Sequence, residues 1–64
     1  MYTLVKTDKY KFNITIKGTM LGEVEMISGI WVAKIGNNVY SSPNRKRAIE
    51  NCILEILKGA RGHE

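Results

Sequence analysis

Residues 10–17 read YKFNITIK. Apolar side chains fall at Tyr10, Phe12, Ile14 and Ile16, and polar ones at Lys11, Asn13, Thr15 and Lys17. A period of two divides into two faces only when the chain is extended. The β-branched and aromatic content suits a pleated, half-buried surface. A strand over about 10–17 needs hydrogen-bonding partners, and the flanking sequence supplies them.

Upstream, residues 2–6 form a shorter strand joined to the first by Thr7-Asp8-Lys9. Downstream, Gly18-Thr19 ends the run and a strand over about 20–27 follows. Met20, Gly22, Val24 and Met26 share one of its faces, and Glu23 and Glu25 share the other. Ser28-Gly29 is a tight-turn pair. A strand over 30–35 follows, with Trp31, Ala33 and Ile35 on one side. Gly36-Asn37-Asn38 tolerates positive φ and marks another hairpin before a last short strand over 38–41.

The period then changes. Ile49, Cys52, Ile53, Ile56 and Leu57 make one helical stripe, Glu50, Asn51, Glu55 and Lys58 lie opposite, and Leu54 sits at the margin. Ser42 is the expected N-cap, Pro43 the first helical residue and Gly59 the stop, giving a helix over about 43–58 and a frayed tail over 60–64. The fold class is α+β: an antiparallel sheet of three to five strands packed by one C-terminal helix, a β-β-β-α type of domain filling residues 1–64.

The chain has 64 residues, ten Lys and Arg against six Asp and Glu, and a net charge of +4. That balance favours polyanionic partners. One cysteine, Cys52, and one histidine, His63, provide neither a disulfide framework nor a four-ligand zinc set. Cys52 lies within the apolar stripe and reads as a small buried hydrophobe. No nucleophile–base arrangement, phosphate-cradling glycine loop or cofactor motif is present, so an enzyme is not expected and no metal or cofactor is assigned. The longest unbroken apolar run, Ile30–Ala33, is far too short to cross a bilayer, and the N-terminus lacks a signal-type apolar core; the expectation is a soluble, cytoplasmic protein.

Arg45, Lys46 and Arg47 stand in the first turn of the helix, where the dipole disfavours cations. An anion bound beside the unpaired helix amides would relieve that conflict, and nucleic-acid phosphate is the commonest biological match. Ser42 and Asn44 belong to the same turn, and Tyr40, just before it, is the candidate for base stacking. Lys11, Lys17 and Lys34 are candidates for a second backbone contact. The competing reading pairs these cations with Asp8, Glu23 or Glu25, and cross-strand Lys–Glu pairs are the favoured account of the polar sheet face. Phe12 and Trp31 are expected in the core.

The last 45 or so residues resemble the double-stranded-RNA-binding domain family. Its sheet is followed by a helix that opens with a small residue, a basic cluster and an alanine, here Ser42, Lys46 and Ala48. Small-apolar pairs follow, here Cys52-Ile53 and Ile56-Leu57. The resemblance implies phosphate contacts by Arg45, Lys46 and Arg47 across a duplex major groove. The family's first helix has no counterpart before Tyr10, and its Gly-Pro-x-His loop is replaced by Gly18-Thr19 or Ser28-Gly29. The strand-strand-strand-helix order is also similar to the arm-binding domain of phage-type integrases and to small antitoxin domains.

Two functions follow as expectations. The first is a nucleic-acid-binding module, with duplex RNA favoured over DNA. The second is a protein-binding adaptor or inhibitor, antitoxin-like or of viral (phage) origin, acting on a host protein. Leu21, Ile27, Ile30, Val32 and Leu54 exceed what one helix covers, which points to a homodimer or a protein partner.

Overall fold

The computed structural model describes residues 2–61. Its elements are β1 (Thr3–Asp8), β2 (Lys11–Ile16), β3 (Thr19–Ile27), β4 (Ile30–Ile35), β5 (Asn38–Ser42) and α1 (Arg45–Arg61). The five strands form one antiparallel sheet in sequence order, and α1 packs on the β4–β5 side of one face. The α+β class and the upper strand count both hold.

Two-residue hairpins set the meander. Lys17 and Gly18 have φ of 51° and 81°, and Ser28 and Gly29 have φ of 53° and 81°. Two consecutive positive φ values are the type I′ pattern, whose twist matches that of the strands. Each turn puts glycine where the left-handed region costs it nothing. Lys17 therefore belongs to a turn and not to the polar sheet face assigned to it from the alternation.

Two register shifts redirect side chains. Lys6 pairs with Phe12 but Asp8 pairs with Lys11, so Thr7 is an extra residue in β1, and its hydroxyl donates to the Lys11 carbonyl at 3.2 Å. The bulge leaves Tyr10 in the β1–β2 turn, 52% exposed, instead of on the apolar face with Phe12. In β3, Gly22 pairs with Ile14 while Met20 pairs with Thr15. Leu21 is thus extra, and Met20 shares the open face with Thr15 instead of joining Val24.

The core lies between sheet and helix. Ile14, Val24, Ala33, Ala48, Ile49 and Cys52 are fully buried, with Ile35 nearly so. Burying Ile14, Val24 and Ile49 stabilises the fold by about 1.5–3 kcal/mol each. Leu57, expected on the buried stripe, is 53% exposed, because Ala48, Ile49 and Cys52 centre the buried face further round the helix. Gly22 marks the closest approach of β3 to β4: a Cβ there would collide with the Lys34 carbonyl oxygen and Ile35 Cα.

The helix boundaries also differ from expectation. The Asn44 side-chain oxygen accepts from the Arg47 amide, and its carbonyl accepts from the Ala48 amide, both at 3.1 Å. Asn44 is therefore the N-cap, and Arg45 is the first helical residue instead of the third. Ser42 ends β5, and its hydroxyl accepts from the Asn44 amide at 3.1 Å, a turn contact in place of a cap. Pro43 precedes the helix. At the other end α1 continues through Gly59 to Arg61, so Gly59 does not stop it. Residues 62–64 of the expected tail, with His63, lie outside the described residues.

Candidate nucleic-acid interface

The helix start, the β1–β2 turn and the β3–β4 turn share one end of the sheet, because β5 runs toward that end and hands over directly to α1. Moving the cap to Asn44 places Arg45, Lys46 and Arg47 at the first three helical positions. Asn44 accepts the Arg47 amide, while the Arg45 and Lys46 amides have no acceptor among the described residues. Those two N–H groups and the helix dipole make the spot electropositive before any side chain is counted.

Arg45 has an intramolecular partner, and it is aromatic. Its guanidinium carbon lies 4.8 Å from the Phe12 ring centroid and 5.4 Å from that of Trp31. The two rings are tilted by 48° with centroids 6.1 Å apart. Phe12 and Trp31 pack against the core as expected but stay half-buried, and Arg45 covers part of their outer side. A guanidinium on a ring face keeps its N–H edge available for bidentate phosphate contact. Lys46 and Arg47 are exposed and, with Asn44 and Glu50, line a shallow depression of about 180 Å³. Among the described residues, the ion pairs within 4.0 Å are Lys11–Glu23, Lys11–Glu25 and Lys58–Glu55; none engages the basic turn.

The other candidates are not gathered at this site. Lys11 bridges Glu23 at 3.3 Å and Glu25 at 4.0 Å on the open sheet face, the cross-strand pairing favoured from sequence. Lys34 lies exposed on that same face, opposite Glu23 in the register and away from the helix. Lys17 occupies the β2–β3 turn at the far end of the sheet. Tyr40 faces the helix across from Ala33. Partial burial there, then the Glu55 carboxylate, push its phenol above the ordinary value. It is engaged with the middle of α1 and not aimed at the basic turn.

Sequence reasoning left out Lys6 and Lys9. Lys6 is the cross-strand neighbour of Phe12, so it flanks the ring on which Arg45 lies. The Lys9 ammonium stands 5.5 Å from the Tyr10 ring centroid. The alternation Tyr2, Leu4, Lys6 carried the first signal, whereas the second depends on the bulge at Thr7.

Cys52 is fully buried, its thiol 3.4 Å from the Asn38 carbonyl oxygen and 3.9 Å from that of Ala33; burial pushes it above its ordinary value. Among the described residues no group of three His, Cys, Asp or Glu is placed to hold a metal, and no helix is long and apolar enough to cross a membrane. No family model matches this chain, and neither curated proteins nor solved structures show significant similarity to it.

Proposed function

We propose that the protein is a nucleic-acid-binding module that grips the phosphates of duplex RNA with the first turn of α1. The observation that carries this reading is that Arg45, Lys46 and Arg47 occupy the positive end of the helix beside two unaccepted amides and, among the described residues, none has a carboxylate oxygen within 4.0 Å, although Glu50 borders the depression that Lys46 and Arg47 line. Lys6 and Lys9 extend the positive charge along the same end. The preference for RNA rests on the resemblance of the helix opening to double-stranded-RNA-binding domains. Cys52 is buried against backbone carbonyls and is not presented as a nucleophile, which fits a binding role. Gel shifts with one sequence presented as duplex RNA, duplex DNA and single strand test the reading. Duplex RNA should bind tightest at low salt, and absence of a shift with all three would overturn the proposal.

The second reading, a protein-binding inhibitor of the antitoxin or viral type, is favoured by one observation. Leu54 and Leu57 are each more than half exposed, and Leu54 borders an apolar groove of about 280 Å³ completed by Tyr2, Ile53 and Glu50. Pull-down after nuclease treatment separates the two readings: a retained protein partner speaks for inhibition, whereas a partner lost with the RNA speaks for the first.

A further inference from the structure

The β1–β2 turn holds a recess of about 220 Å³ lined by Asp8, Lys9, Tyr10, Lys11, Glu25 and Met26. It is smaller than the pockets of ~300 Å³ and upward that take drug-sized ligands, and it has room for one flat heterocycle. Tyr10 is an aromatic residue the fold leaves out of its core, 52% exposed, with the Lys9 ammonium 5.5 Å from its ring centroid. We propose that this recess binds one unpaired guanine of the RNA, stacked on Tyr10 with its edge read by Lys11 and Glu25. The inference rests on the nucleic-acid reading and deepens it by naming a base.

The chemistry comes from the polar lining. Asp8 Oδ1 already accepts the Lys9 amide at 2.7 Å. Glu25 keeps accepting capacity, since its one ion-pair contact, to Lys11, is stretched to 4.0 Å. Lys11, whose ammonium also bridges Glu23 at 3.3 Å, has further protons to donate, and Glu25 offers two acceptor oxygens beside it. Guanine presents the complement along one edge: an acceptor carbonyl, then a ring N–H and an amino group. Adenine and cytosine present one amino donor beside an acceptor, and uracil one N–H between two carbonyls, so none of them fills both carboxylate oxygens. Base–aromatic stacking outweighs an exposed cation–ring contact, so the base displaces Lys9 from Tyr10 and leaves its ammonium for the nucleotide's own phosphate. The Met26 amide, bonded to the Tyr10 carbonyl at 2.9 Å, fixes the turn at the border of the recess. Single unpaired bases are read in this manner, by stacking and by their Watson–Crick edge.

The test compares a blunt RNA duplex with the same duplex carrying one unpaired guanine or adenine, alongside titration of the protein with guanosine and adenosine monophosphates followed by NMR. The guanine overhang should bind roughly tenfold tighter than the blunt duplex, the scale of one base stack. The monophosphate of guanosine should shift the Lys9–Lys11 and Met26 amides more than that of adenosine. Tyr10→Ala and Glu25→Gln should each bring the overhang-to-blunt ratio close to one; both sites are on the surface, and circular dichroism confirms folding. A ratio unchanged by Tyr10→Ala, or equal for guanine and adenine, overturns the inference while leaving phosphate binding intact. Shifts from the guanosine nucleotide without any duplex binding uphold the recess and remove the duplex reading. No response in either experiment overturns both.

Discussion

At the scale of single residues, Cys52 shows what a sequence carries and what it does not. Its place between Ile49 and Ile56 marked a buried hydrophobe, and it is fully buried. Its contacts with the Asn38 and Ala33 carbonyls depend on where α1 crosses β4 and β5, which no local pattern encodes. A thiol raised by burial keeps its proton in the folded state. Its contribution to stability is therefore complete below the ordinary thiol value of 9.0 and is lost as pH rises beyond it, with the raised Tyr40 phenol acting in the same direction higher still. Chemical denaturation across pH should show stability that is level near neutrality and falls on the alkaline side. An aromatic disulfide reagent should label Cys52 only on unfolding. Gly22 makes a second residue-scale case. Its place in the alternation with Val24 and Met26 was readable, but its closeness to the β4 backbone was not. Gly22→Ala should destabilise the domain by at least ~2 kcal/mol, measured by the shift in denaturant midpoint, because the obstructing atoms are backbone and have no rotamer to change.

At the scale of elements, the strands were legible through alternation and turn chemistry, and the helix through its change of period. The boundaries were less so. Ser42, Pro43 and Asn44 all suit a helix start, and only the hydrogen bonds decide that Asn44 is the cap. Asn44→Ala should cost about 1 kcal/mol, visible as a lower Tm. Gly59 looked like a stop, but a glycine within a helix is tolerated at about 1 kcal/mol. The bulges at Thr7 and Leu21 leave no signal in the alternation, and so Tyr10 and Met20 were given the wrong face. The basic turn also sets stability against binding. Arg47 stands at the third helical position, where a carboxylate complements the dipole and the Asn44 cap. Arg47→Glu should stabilise the isolated domain by about 0.3–1 kcal/mol and raise its Tm by a few degrees. The same change should weaken RNA binding. A lower Tm with binding unchanged would mean that Arg47 serves the fold.

At the scale of the whole molecule, the charge is distributed unevenly between faces. The open sheet face neutralises itself through Lys11, Glu23 and Glu25, while the helix start keeps the charge of Arg45, Lys46 and Arg47 without an ion pair within 4.0 Å among the described residues. The basic cluster itself was legible. Its separation from Lys17, Lys34 and Tyr40 was not, because those residues are dispersed by register and by handover between elements, properties of the assembled sheet. Nor was Arg45 on Phe12 and Trp31, which brings together residues far apart in the chain. Arg45 therefore has two tasks, and Arg45→Ala should lose about 0.5–1 kcal/mol of stability that Lys46→Ala does not. The most direct test of the central claim is the salt dependence of duplex RNA binding, by fluorescence anisotropy, for the native chain and for the variant with Arg45, Lys46 and Arg47 all replaced by Ala. Each phosphate contact contributes about 0.9 to the slope of log affinity against log salt concentration, so the variant should bind more weakly with a slope shallower by roughly two to three. Equal affinity and an equal slope for the two proteins would contradict phosphate recognition by this helix.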